Sequence, residues 1–221
     1  MMSNPINKIT GPHRGQPVLM AGEQLEQARA AMIMMHGRGA SAQDILGLSA
    51  ELPQTGFVYL APQAANSTWY PNSFLAPLAR NEPGLSSALS VISQLLDSLA
   101  EAGIPAERTI LLGFSQGACL SLEFAARNAQ RYGGIAGLSG GLIGPNDTDR
   151  NYPGSLAETP VLLGCSDRDP HIPKERVDVS ARILQGMGAK VTERIYPNMA
   201  HTINDEEIEL VTTMMKQLLA H

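Results

Sequence analysis

Ser115 stands between two glycines in Gly113-Phe114-Ser115-Gln116-Gly117, where the aliphatic run of residues 109–112 gives way to small and apolar residues at helical spacing. A serine there has two readings. It is an ordinary tight turn, or it is a nucleophile on a strained strand-to-helix corner, the G-x-S-x-G elbow. Composition alone gives about 0.14 chance matches to that pattern in a chain of this length. The chain has two, because Gly137-Leu138-Ser139-Gly140-Gly141 also fits. A serine hydroxyl is also a weak nucleophile, and needs a base that is itself oriented by a carboxylate. The choice between the two serines therefore rests on what surrounds them and on where a histidine and an acid would fall.

Short apolar runs alternate with longer amphipathic ones. Strands are expected at 17–20, 31–36, 57–62, 109–114, 133–138, 160–165 and 190–197, and most are continuously apolar, as in a parallel sheet covered on both faces. Helices are expected at 42–51, 85–103, 116–130, 173–187 and 204–220. In the second of these, Leu85, Leu89, Ile92, Leu96 and Leu99 recur at helical steps and Gly103 closes the run. This alternation predicts an α/β fold, with a mostly parallel central sheet of about seven strands and helices on both faces. Two long irregular stretches, 63–84 and 139–159, would emerge at the carboxyl ends of strands, where open α/β sheets bind ligands.

Ser115 has a strand before it and about three turns of unbroken helix after it. Ser139 is followed by Gly140, Gly141, Gly144 and Pro145, which prevent a helix. Ser115 is the expected nucleophile. In α/β-hydrolases its partners follow in the order acid, then histidine. The loop after 160–165 offers Asp167 and Asp169, and the loop after 190–197 offers His201. His13 in the tail and His221 at the end are expected to be solvated, and His171 to line the acid's loop. An oxyanion hole needs the N–H of the residue after the nucleophile and another from an earlier loop. Gln116 and Arg38 would supply them, with Gly37 and Gly39 letting the His36-Gly37-Arg38-Gly39 loop turn toward substrate. Residues 37–42 also match a dinucleotide fingerprint, but no acid follows at the end of the next strand to hold a ribose.

The bulk numbers exclude other classes. No apolar run approaches the roughly 18 residues of a membrane span. The polar start has no secretory pattern, and reads as a flexible N-terminal segment over 1–16 before a single domain over 17–221. Cys119 and Cys165 cannot build a disulfide framework and have no metal-ligand spacing, so both read as buried, inert thiols and the chain as cytoplasmic. A net charge of −5 without a basic cluster argues against nucleic acid or anionic membrane as a partner. A homodimer is compatible with the sequence. The Met-rich run 32–35 reads as core packing.

Residues 34–41, 68–77, 113–127, 164–173 and 197–209, taken together, resemble the carboxylesterase/phospholipase-like group of α/β-hydrolases, which includes acyl-protein thioesterases and bacterial carboxylesterases. The resemblance runs in order from about residue 17 to the end. It implies Ser115 as nucleophile, His201 as base and Asp169 as acid, since the family's acid directly precedes the proline; the residues themselves leave Asp167 and Asp169 level. It implies no cofactor and no metal. Arg38 in the oxyanion loop brings the chain closer to the bacterial esterases of the group, and a protein substrate is not supported. The expected activity is hydrolysis of small to medium carboxylic esters, thioesters or lysophospholipids through an acyl-enzyme on Ser115. The breakers in 139–159 predict no large lid and an open site, with Trp69, Tyr70 and Phe74 as walls or merely as packing for their own loop. The rivals are a non-catalytic ligand-binding protein on the same scaffold and a dienelactone-type hydrolase, which would be expected to carry cysteine as nucleophile.

Overall fold

The computed structural model describes residues 9–220. Seven strands form one sheet: β1 (Val18–Gly22), β2 (Ala30–Met35), β3 (Phe57–Pro62), β4 (Thr109–Phe114), β5 (Gly134–Leu138), β6 (Pro160–Ser166) and β7 (Lys190–Tyr196). Their spatial order is β1-β3-β2-β4-β5-β6-β7. Only β1 runs antiparallel, pairing Met20 with Leu60 at the sheet's edge. Five helices connect or flank them: α1 (Ala42–Gly47), α2 (Gly84–Glu101), α3 (Gln116–Arg127), α4 (Lys174–Gly186) and α5 (Asp205–Ala220). Every strand and helix expected from the sequence is present. The helix expected over 42–51 stops at Gly47 and tightens into a 3-10 turn over Leu48–Glu51.

The burial pattern explains why the central strands look featureless in sequence. Every side chain of β2 is buried, yet they serve two cores in strict alternation. Ala31, Ile33 and Met35 point to the face covered by α2, α3 and α4. Ala30, Met32 and Met34 point to the face covered by α1 and α5. Apolar residues at both phases of a period-two strand give a continuous run, so the methionines of 32–35 are core packing.

The loose segment expected over 1–16 is not what residues 9–16 form. Ile9 is buried in the larger core and His13 is only 1% exposed. His13, expected to be solvated, makes its contacts inside the protein, as described below. His221 and residues 1–8 lie outside the described residues.

The two long loops meet above the carboxyl edge of the sheet, where the N–H of Gly144 donates to the carbonyl of Phe74 at 2.7 Å. Residues 139–159 contain no helix. They are drawn down by Arg176 of α4, which donates to the carbonyls of Leu142 and Gly144. Among the described residues no large lid covers this edge. Among the described residues no helix is long and apolar enough to cross a membrane.

Candidate active site

The turn from β4 into α3 places Ser115 at φ 54° and ψ −117°, left-handed backbone on a residue with a side chain. Such a residue costs about 1–3 kcal/mol unless its surroundings impose it. Here Ser115 N–H is held by the carbonyl of Leu138 at 2.9 Å, and its carbonyl accepts the N–H of Cys119 at 3.0 Å. The glycines at either side are required by contact rather than by dihedral. A Cβ on Gly113 would lie 2.2 Å from the carbonyl oxygen of Gly117, and one on Gly117 would lie 2.0 Å from that of Met35.

The strained corner aims the Ser115 hydroxyl at His201. Ser115 Oγ lies 2.9 Å from His201 Nε2, and His201 Nδ1 lies 2.6 Å from Asp169 Oδ2. The carboxylate can only accept, so in the neutral imidazole Nδ1 carries the proton and Nε2 is left free to accept from the hydroxyl. The other oxygen of Asp169 accepts the N–H groups of His171 at 2.8 Å and Ile172 at 2.9 Å. The side chain of Asp169 is fully buried. Burial pushes its carboxyl up, but the bond from His201 and the two backbone donors outweigh that and hold it below its ordinary value.

The geometry separates the two aspartates that the residues alone left level. Asp167 turns away and accepts the N–H of Asn198 at 2.8 Å, tying down the loop that carries His201. The far end of that loop is closed by Asn204 and Glu207 at the start of α5. Each side chain there accepts the other's backbone N–H, at 2.9 and 3.0 Å, a reciprocal cap. The rings of Phe114 and His171 each lie 4.9 Å from that of His201. Phe114, inside the elbow motif itself, is a wall that the sequence reading did not single out. An x position in a motif carries no signal of which way its side chain turns.

Ser115, His201, Arg38 and Gln116 open on one cleft of about 390 Å³, whose walls include Tyr70, Phe74, Phe114, His171 and Ile172. Among the described residues, neither the backbone N–H of Arg38 nor that of Gln116 has an acceptor. Ser139 is not in the cleft. It is fully buried, has φ 53°, and is followed by bends rather than a helix. Cys119 sits at the cleft's floor and Cys165 beneath Asp169. Burial pushes both thiols up to about 12, so neither is a thiolate at neutral pH.

Of the three aromatic residues expected as walls, Tyr70 and Phe74 line the cleft and Trp69 does not. Trp69 is fully buried, its indole N–H donating to the carbonyl of His36 at 2.9 Å. Its ring lies between two imidazoles, 5.2 Å from His13 and 4.9 Å from His36. His13 Nδ1 accepts from Ala65 N–H at 3.1 Å and its Nε2 reaches the carbonyl of Trp69 at 2.9 Å. His36 Nε2 accepts from Ala64 N–H at 3.1 Å and its Nδ1 reaches the carbonyl of Gly37 at 2.7 Å. Each ring has one acceptor and one donor nitrogen in use, so both must be neutral. Burial, the largest influence on each, keeps both below the ordinary histidine range.

The family model for Phospholipase/Carboxylesterase matches residues 18–219. A solved phospholipase/carboxylesterase from Dyadobacter fermentans is 42% identical, with a TM-score of 0.88 over 91% of this chain and 97% of that one. Acyl-protein thioesterase 1 of Gibberella zeae is 33% identical over 64% of this chain and 62% of its own length. The protein of the same name from Kluyveromyces lactis is 26% identical over 97% of this chain and 99% of its own.

Proposed function

The chain belongs to the phospholipase/carboxylesterase family, and from that premise we propose that it is a serine hydrolase of carboxylic esters and thioesters, with Ser115 as nucleophile, His201 as base and Asp169 as acid. The observation that carries this reading is the unbroken run of contacts from Ser115 through His201 to Asp169, at 2.9 and 2.6 Å.

In the proposed cycle Ser115 Oγ attacks the carbonyl carbon while His201 Nε2 takes its proton. The ionised Asp169 stabilises the imidazolium and keeps its ring oriented. The negative oxygen of the tetrahedral intermediate accepts from the N–H groups of Arg38 and Gln116, each worth about 3–4 kcal/mol in the transition state. Collapse breaks the bond to the leaving alkoxide or thiolate, which takes the proton from His201. Water, deprotonated by the same nitrogen, then attacks the acyl-enzyme. The acid departs and Ser115 recovers its proton.

The cleft's size and its aromatic and aliphatic lining support small to medium acyl chains. Higher identity to the bacterial carboxylesterase than to the fungal thioesterases supports a small-molecule ester over a protein substrate. Two free, buried cysteines support a reducing compartment, and we place the protein in the cytoplasm. A fluorophosphonate that labels active serines tests the assignment. Peptide mapping should find the adduct on Ser115; an adduct on Ser139, or none, would count against the reading.

A further inference from the structure

Arg38 and Gln116, whose N–H groups we assign to the oxyanion, spend their side chains on one short strap, residues 69–72. The Gln116 amide accepts from Trp69 N–H at 2.9 Å and donates to the carbonyl of Tyr70 at 2.8 Å. Arg38 Nη2 donates to the carbonyls of Tyr70 at 2.8 Å and Asn72 at 2.6 Å, and Nη1 to that of Pro71 at 3.0 Å. The strap holds Tyr70 and leads to Phe74, so it also forms the wall of the cleft.

An arginine beside a cleft ordinarily reads as a binder of anionic substrate. Here the guanidinium is occupied by three successive carbonyls of its own chain. Arg38 and Gly39 are exposed, and a Cβ built on Gly39 would meet nothing within 4 Å. The other bonds on this loop are Gly39 N–H to the carbonyl of Ser67 at 2.8 Å, Trp69 Nε1–H to that of His36 at 2.9 Å, and His36 Nδ1 and Ala40 N–H to that of Gly37 at 2.7 and 3.2 Å. They hold the loop's own backbone, and the Arg38 guanidinium is what ties this loop to the carbonyls of residues 70–72.

We propose that the Arg38 guanidinium is a positioning residue. By fastening the oxyanion loop to the strap that Gln116 also grips, it fixes the spacing of the two N–H donors without touching substrate. This rests on the assignment of Ser115, His201 and the oxyanion donors made above. Its physical basis is that a preorganised donor acts only at the place where charge develops, and a displacement of about 1 Å can cost up to 10²-fold. Arginine's rigid planar fork spans three successive carbonyls, whereas lysine's compact ammonium on a flexible stem does not hold that geometry.

The test compares Arg38→Met, which keeps the apolar stem, and Arg38→Lys, which keeps the charge, with Ser115→Ala and the parent. On a p-nitrophenyl ester both Arg38 variants should lose about tenfold or more in kcat with KM little changed. Inhibition by a trifluoromethyl ketone, whose adduct carries the oxyanion, should weaken by the same factor as kcat/KM. An unchanged kcat in the Met variant, a full kcat with lysine, a rise in KM alone, or a lowered kcat with unchanged inhibitor affinity would each overturn the positioning role. An active Ser115→Ala would instead overturn the assignment beneath it. A dead Ser115→Ala beside fully active Arg38 variants removes only the present proposal.

Discussion

At the scale of single residues the two aspartates of the loop after β6 make the sharpest contrast. They stand two residues apart in one loop, and by residue type each is equally able to serve a histidine. Their surroundings divide them: Asp169 accepts from His201 and two backbone N–H groups, while Asp167 holds Asn198. Asp169→Asn should lower kcat by as much as about 10⁴, because an amide at that place cannot hold the tautomer that leaves Nε2 free. Asp167→Asn should lower it far less, since an amide oxygen still accepts from Asn198. Steady-state kinetics of the two variants decide, and the reverse ranking would move the acid to Asp167. The choice between them was legible only through the family's proline rule, because a backbone hydrogen bond from residue 198 leaves no trace at residue 167. Ser115 and His201 were legible for a different reason. Each sits at the end of a strand with a pattern of its own, and the fold requires them in that order.

At the scale of elements, the segment before β1 is where the sequence was least informative. Residues 9–16 are short, polar and without periodicity, so nothing in them announces that His13 closes a stack with Trp69 and His36. Burial of a histidine depends on what the rest of the chain brings to it, and local pattern cannot report that. The stack has a pH consequence. Protonating either ring would set an N–H against the N–H of Ala65 or Ala64. With folded values below the ordinary 6.5, these rings stabilise the protein fully above about pH 6.5, and that contribution is lost as pH falls through their folded values. Glu207 works the other way. Burial pushes its carboxyl up to about 7, so its contribution is complete at low pH and lost as pH rises through about 7. Comparing variant with parent separates the two. His13→Ala should cost about 3 kcal/mol in urea unfolding at pH 7.5, and the gap to the parent should narrow toward pH 5. A gap that stays constant with pH would mean that His13 is not held neutral.

At the scale of the whole molecule, the sheet supplies a rim and the two long loops supply walls, but among the described residues nothing closes over them. Residues 139–159 are spent instead on fixing the rim, through Gly144 to Phe74 and through Arg176 to Leu142 and Gly144. The breakers that made this stretch unreadable as a helix in sequence are the same ones that keep it flat against the fold. Two properties follow from a cleft of about 390 Å³ without a lid. The first concerns acyl length. Each methylene that enters the apolar walls gains about 0.8 kcal/mol, about fourfold in kcat/KM, and each one beyond them gains nothing. Along a series of p-nitrophenyl esters from acetate to palmitate, kcat/KM should therefore climb over the short members and then level off or fall. The second concerns interfaces. A lidded lipase opens at a lipid surface, whereas this site is already open, so the rate should pass smoothly through the concentration at which the ester forms micelles. A continued rise to palmitate together with a jump at micelle formation would require a covering element and would overturn the reading of an open cleft.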